Sequence, residues 1–232
     1  MINAKMDKPL NIKLISLDLF GTLVNVQQSR DTIWKVFLGQ DYTEELSHKY
    51  WDMADVILRR KVNENPTTFK SVRTIFNETY TELFNKINVM YDPILAADAL
   101  MKGHNLQNIY PDTSQFLKSI GDRYQICVSS DCDTEMLVGI HDLHKFDAVF
   151  SSEQLGYYKS SKEFWMHVLD HYNIAPKNIL HIGDANSDII IPKQLGLRTC
   201  WLNRHNRIWD NPVEPDFEVN SLQQVSGILG LK

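Results

Sequence analysis

Four polar clusters along this chain each follow a short apolar run, and that pattern restricts the possible folds more than any other feature. The first run is Ile12-Lys13-Leu14-Ile15-Ser16-Leu17, and it ends in Asp18-Leu19-Phe20-Gly21-Thr22. The later clusters are Ser129-Ser130-Asp131, Lys159 after Gly156-Tyr157-Tyr158, and Gly183-Asp184-Ala185-Asn186-Ser187-Asp188. A continuous apolar run suits a strand covered on both faces, as in a parallel sheet. Parallel strands all end at one edge, so clusters far apart in sequence can meet there. A carboxylate such as Asp18 at that edge is placed to act as a nucleophile or a metal ligand.

The intervening sequence supports alternating strands and helices. Strands are expected at about Ile12–Asp18, Gln125–Ser129, Phe146–Phe150, Asn178–Ile182, Thr199–Leu202 and Phe217–Val219. Helices are expected from Asp112 or Thr113 to Ile120, over Ser160–Tyr172, over Ile189–Leu195 with an interruption at Pro192, and over Ser221–Leu229. This alternation predicts an α/β fold with a doubly wound, Rossmann-like parallel sheet. Between Gln27 and Asn105 strand signals nearly vanish, and aromatic and aliphatic residues recur at helical spacing. Trp34, Phe37, Leu38, Leu46 and Tyr50 do so before Pro66, and Phe69, Val72, Ile75, Phe76, Tyr80 and Leu83 after it. A further helix is expected from Asp92 to Lys102, with Pro93 in its first turn. The expected organisation is therefore a core of residues 1–26 and 106–232, with a helical cap of residues 27–105 over Asp18.

Net charge is −5 with both signs interspersed, so no nucleic-acid footprint is present. No stretch approaches the ~20 apolar residues of a membrane span, and Met1 to Pro9 carry no apolar signal core. Cys127, Cys132 and Cys200 read as reduced core residues. The expected setting is cytoplasmic, as a monomer or homodimer acting on a small molecule, with no nucleic-acid or membrane partner.

The four clusters, in order and content, resemble the motifs of the haloacid dehalogenase-like hydrolases with a helical cap, over nearly the whole chain. Asp18 to Thr22 matches the first motif, Asp-x-Asp-x-Thr, except that Phe20 stands where most phosphatases of the family carry a second Asp. Ser129 matches the second motif, Lys159 the third, and Gly183-Asp184 with Asp188 the fourth. The resemblance implies that Asp18 attacks phosphorus, with Thr22 supporting the turn or the nucleophile. Ser129 and Ser130, the Gly21 backbone and Lys159 would hold the phosphoryl group. Mg²⁺ would be held by Asp18, the Phe20 carbonyl, Asp184 and Asp188, since it favours oxygen ligands. His181, inside a strand, reads as a packed core histidine.

Phe20 leaves two reactions open. The second Asp supplies general acid and base help, typically worth about 10²–10⁴-fold, and Phe20 supplies neither. An aromatic residue there resembles the haloacid dehalogenase branch, where halide leaves without a proton; Thr199 to Arg204 also resembles that branch. The acidic pair Asp184 and Asp188 points instead to metal and phosphate. The expected function is a Mg²⁺-dependent phosphatase of a small phosphorylated metabolite, with a metal-free 2-haloacid dehalogenase as the alternative. If it is a phosphatase, leaving-group protonation is unnecessary for acyl phosphates or falls to Asp131, Asp133 or a cap residue.

Overall fold

The computed structural model describes residues 10–64, 68–104 and 106–231. Met1 to Pro9, Pro66 and Asn105, to which the sequence assigns a polar terminus, a helix breaker and a cap boundary, lie outside the described residues.

Strand β1 (Leu14–Leu17) leads into helices α1 (Gln27–Leu38), α2 (Glu44–Asn63), α3 (Val72–Ile87) and α4 (Pro93–Gly103). The chain then forms α5 (Thr113–Gly121), β2 (Gln125–Ser130), α6 (Ile140–Leu143), β3 (Ala148–Ser151), α7 (Ser152–Leu155) and α8 (Lys162–Tyr172). It closes with β4 (Ile179–Gly183), α9 (Ile190–Gln194), β5 (Arg198–Leu202), β6 (Phe217–Val219) and α10 (Leu222–Ile228). Six strands form one parallel sheet in the order β3-β2-β1-β4-β5-β6. Every residue of the central strands β1 and β4 is buried, which is why both read as unbroken apolar runs. From β1 the chain builds outward through β2 and β3 on one side, then through β4, β5 and β6 on the other. The order reverses beside β1, and such a reversal opens a crevice at the carboxyl ends of the strands. Asp18 follows β1 directly and so stands at that crevice.

The inserted helices are amphipathic and bury their apolar faces in a core continuous with that of the sheet. On α3, Val72, Ile75, Phe76, Thr79, Tyr80, Leu83 and Phe84 are buried at helical spacing. Trp34 of α1 packs on Tyr50, Tyr80 and Phe84, with ring centroids 5.3, 6.1 and 6.5 Å away. Local signals set the ends. The Thr43 hydroxyl accepts from the Leu46 amide (3.1 Å), Ser71 from Thr74 (3.2 Å) and the Asp92 carboxylate from Ile94 (2.8 Å). No described helix is long and apolar enough to cross a membrane.

Three local expectations are corrected. Pro192 does not interrupt α9, because it falls in the first turn, where a missing N–H forfeits no helical bond. Helix α8 starts at Lys162 rather than Ser160, because the Ser161 hydroxyl accepts from the Glu163 amide at 3.2 Å and caps it. Asp112 makes no side-chain cap for α5. Its carboxylate instead accepts from the Leu222 amide at the start of α10 (2.9 Å) and from the Arg204 guanidinium (2.9 and 3.1 Å). Replacing the fully buried Trp34 by Ala is expected to cost about 3–5 kcal/mol, read as a lowered urea midpoint of the protein.

Candidate active site

The crevice is built around one ammonium. Lys159 Nζ donates to Asp18 Oδ1 at 2.6 Å and to Asp188 Oδ1 at 2.5 Å, and all three side chains are buried. Trp165 Nε1 donates to the Lys159 carbonyl (2.8 Å), and the Lys159 amide donates to Asp131 Oδ1 (2.8 Å), which together fix where the lysine enters. Asp188 is held from behind. His181 Nε2 lies 3.0 Å from its Oδ1, and the Ala185 amide donates to its Oδ2 at 2.9 Å. His181 Nδ1 lies 2.9 Å from Ser16 Oγ, which lies 2.8 Å from Ser129 Oγ. An ionised carboxylate only accepts, so this network assigns the His181 proton to Nε2 and makes Nδ1 the acceptor from Ser16.

Two glycines make room for these groups. A Cβ on Gly183 would meet Asp188 Cγ at 2.1 Å. One on Gly21, whose φ is +95°, would meet Asp184 Oδ1 at 2.6 Å. The nucleophile loop is fastened at its far side, where Arg204 donates to the Thr22 carbonyl (3.0 Å) and stacks on Tyr110 at 3.9 Å. The Thr22 hydroxyl itself is buried and makes no hydrogen bond, although it lies close enough to Asp18 to favour the ionised carboxylate slightly.

The electrostatics follow from burial and crowding. Burial disfavours an ionised Asp188, but Lys159 and His181 override it and hold that carboxyl well below the usual range. Asp18 moves upward, because burial and the Asp188 charge outweigh Lys159. Burial, then Asp18 and Asp188, push Asp184 up to about 7, against the opposing pull of Arg207. Burial raises Asp131 to about 6, with Lys159 opposing. Burial alone would lower Lys159, but the surrounding carboxylates hold it well above its ordinary value.

Asp18, Asp184 and Asp188 each offer an oxygen within 4.8 Å of the others. Asp18 Oδ2 is buried with no hydrogen-bond partner, and burial together with the Asp18 and Asp188 charges disfavours ionisation of Asp184. An unpartnered oxygen beside a carboxyl whose ionisation is opposed by burial and like charge fits a hard divalent cation. Asp188 is the most committed of the three, since Lys159, His181 and the Ala185 amide already occupy its oxygens.

The edge brings together Asp18, Phe20, Gly21, Ser130, Lys159, Asp184 and Asp188, which all line one cavity of about 940 Å³. Ser129 is not among them, which corrects its expected contact with substrate. Side chains alternate along β2, and Ser129 falls on the buried face shared with Ser16 and Cys127. Ser130, one residue on, faces the cavity. His181 is buried in the core as expected, but as part of the hydrogen-bonded network behind Asp188. A histidine and a serine in register on adjacent apolar strands, His181 opposite Ser16, were the available signal. Arg207 was missed; it donates to the Asp184 carbonyl (2.5 Å) and lies 3.4 Å from its Oδ2. It sits in a loop after β5 that carries no pattern.

The insert is tied down beside this site. Asp133 accepts from the Val72 and Arg73 amides at 2.7 and 2.9 Å, capping α3 from the core. Arg73 reaches both Glu135 oxygens at 2.8 and 2.9 Å. The Tyr158 hydroxyl donates to the Lys70 carbonyl (2.9 Å), and its ring stacks on Phe69 at 5.3 Å.

Residues 12–196 match the family model of haloacid dehalogenase-like hydrolases. The chain belongs to that family. It is similar to the pyrimidine 5'-nucleotidase YjjG of Escherichia coli, at 35% identity over 86 residues, 36% of this chain and 38% of that enzyme. It is 22% identical to the phosphoglycolate phosphatase of Vibrio vulnificus over 94% of this chain and 96% of that one. The L-2-haloacid dehalogenase of Xanthobacter autotrophicus shares the fold at a TM-score of 0.76 and 17% identity, over 94% of this chain and 98% of that one.

A carboxyl with a folded pKa above its unfolded value keeps its proton longer in the fold. Its stabilising contribution is complete below the unfolded pKa and lost as pH rises through the folded one. For Asp184 and Asp131 that loss runs from about 4 to about 7. The metal-free protein is therefore expected to lose thermal stability between pH 5 and 7.5. Added Mg²⁺ should raise Tm more at pH 7.5 than at pH 5.5, as calorimetry would read.

Proposed function

We propose that this hydrolase is a Mg²⁺-dependent phosphatase of a small phosphorylated metabolite, working through an aspartyl-phosphate on Asp18. The charge balance of the cavity carries this reading. Its wall holds six carboxylates, Asp18, Asp52, Asp55, Asp131, Asp184 and Asp188, against three lysines and arginines, Arg59, Lys159 and Arg207. Such an excess calls for a cation and opposes a leaving halide. Asp18 and Asp184 would hold the Mg²⁺, with the Phe20 carbonyl and, through its outer lone pairs or a water, Asp188. When bound, the ion would offset charge on the phosphoryl oxygens.

The chain's own residues account for the rest. The Asp18 carboxylate attacks phosphorus, forming an acyl phosphate as the ester P–O bond breaks. Lys159 stays paired with Asp188, holds Asp18 in place and balances charge on the transferring group. Ser130 and the loop at Gly21 face the phosphoryl oxygens. Phe20 cannot protonate the leaving oxygen; its ring packs edge-on against His104 at 5.0 Å. Asp133 has both oxygens bound to the α3 backbone. Asp131 suits the role of general acid, because it lines the cavity and burial brings its pKa to about 6. It would give its proton to the leaving alkoxide and then take one from the water that attacks phosphorus, releasing phosphate and Asp18.

Phe20 favours one second reading, the 2-haloacid dehalogenase, because halide needs no proton. Turnover of acetyl phosphate and of an aryl phosphate separates the two. It should require Mg²⁺, stop with a chelator and vanish in Asp18→Ala. Metal-independent chloride release from 2-chloropropionate, with no phosphate released from either phosphorylated substrate, would overturn the phosphatase.

Asp131→Asn should lower kcat on alkyl phosphates by about 10²-fold and on acetyl phosphate far less, since its leaving group needs little protonation. The wild-type rate on alkyl phosphates should decline as pH rises through about 6, where Asp131 loses its proton, and that limb should disappear in the variant.

A further inference from the structure

The three carboxylates of the acidic cluster differ in what already neutralises them. Asp18 and Asp188 share the Lys159 ammonium, which is 3% exposed and donates to them at 2.6 and 2.5 Å. A buried lysine with two carboxylate partners cannot withdraw without stranding both charges. Asp184 has a different counterion. Among the described residues its one ion-pair partner is Arg207, whose Nη2 lies 3.4 Å from Oδ2. That pair is looser and wetter, with the arginine side chain 41% exposed and the aspartate 25%.

Arg207 is not needed to hold the turn that it touches. It donates to the Asp184 carbonyl at 2.5 Å, but buried Trp201 donates there too, through Nε1 at 3.1 Å. The backbone of Arg207 is anchored without its guanidinium. The buried Asn203 side chain accepts from the Arg207 amide at 2.8 Å and donates to the Arg207 carbonyl at 2.9 Å. Asn206 turns this loop with a φ of +52°. Asn220 Nδ2 fastens it by donating to the Asn206 side chain (3.1 Å) and to the Asn203 carbonyl (2.8 Å). The chain is thus fixed where it carries the arginine, and the guanidinium can leave Asp184 by side-chain rotation alone. Arg207 and Asp184 both line the cavity of the acidic cluster.

Asp18, Asp184 and Asp188 offer oxygens within 4.8 Å of one another, the set assigned above to Mg²⁺. A guanidinium and a divalent cation both seek the Asp184 carboxylate, and at that spacing they repel each other. Resting on the metal-dependent reading, we propose that Arg207 is a displaceable counterion of Asp184. It holds the carboxylate while no cation is bound and yields it when one arrives, so it weakens metal binding. Lys159 is the permanent counterion of the site and Arg207 the exchangeable one.

The test is calorimetric titration of the full chain with Mg²⁺ alone, which reads Kd without turnover. Arg207→Gln removes the charge and should lower Kd about three- to fivefold at low ionic strength, the range of a partly exposed pair. Its Tm gain on adding Mg²⁺ should grow accordingly. Arg207→Lys keeps the charge and should bind Mg²⁺ nearly as weakly as the wild type. High salt screens exposed charges, so it should shrink the difference between Arg207→Gln and the wild type. A Kd unchanged or raised in Arg207→Gln would overturn the inference and leave the Mg²⁺ site standing. Equal tightening in both variants, or a difference undiminished at high salt, would do the same. No Mg²⁺ binding in any of the three proteins would remove the metal-dependent phosphatase and the inference with it.

Discussion

A single buried ammonium, shared between Asp18 and Asp188, is the interaction on which the site depends. Two carboxylates close together in a dry crevice repel strongly, and a buried charge left unpaired is costly. Lys159 makes the arrangement tolerable by bonding to both at 2.5–2.6 Å. Much of the surrounding structure serves to hold it there. Trp165 and Asp131 fix its backbone, and the file of Ser129, Ser16 and His181 fixes Asp188. Gly183 keeps the strand end clear of that carboxylate. Residues from β1, β2, β4 and the turn before α8 thus converge on one proton donor, although they are far apart along the chain.

The sheet and the inserted helices were legible because burial on both faces leaves apolar runs, and amphipathic helices leave a regular spacing. The clusters after β1, β2 and β4 were legible for the same reason, since a polar residue after such a run has few structural reasons to be there; Lys159 instead lies between α7 and α8, at no strand end. The errors came where one residue decides the face. Ser129 and Ser130 are indistinguishable by composition, and pleating alone sends one into the network and the other into the cavity. Asp112 looked like a local helix cap and became a partner of Arg204 and α10, a contact that only tertiary folding creates. Arg207 was invisible because its loop has no periodicity. His181 was placed in the core correctly, but its purpose there depends on strand register.

Phe20 shows how a family scaffold separates two demands that usually fall on one loop. The loop's backbone remains available at the crevice edge whatever side chain stands at that position. Proton donation needs a side chain, and here the ring is occupied with His104. Asp131, across the crevice at the end of β2, is suited by burial to supply that proton. In the proposed reaction the acid would then lie off the nucleophile's own loop, facing the same cavity.

The contact between Asp133 and the start of α3 changes how the insert can move. Two covalent crossings alone would leave a lid that swings on an axis, and any rotation would open the whole mouth. The carboxylate under Val72 and Arg73 adds a third point of attachment, off that axis. Three points define a plane. The start of α3 is therefore held against the core, and α2, which pairs with α3 through Arg60 and Glu82, is held with it.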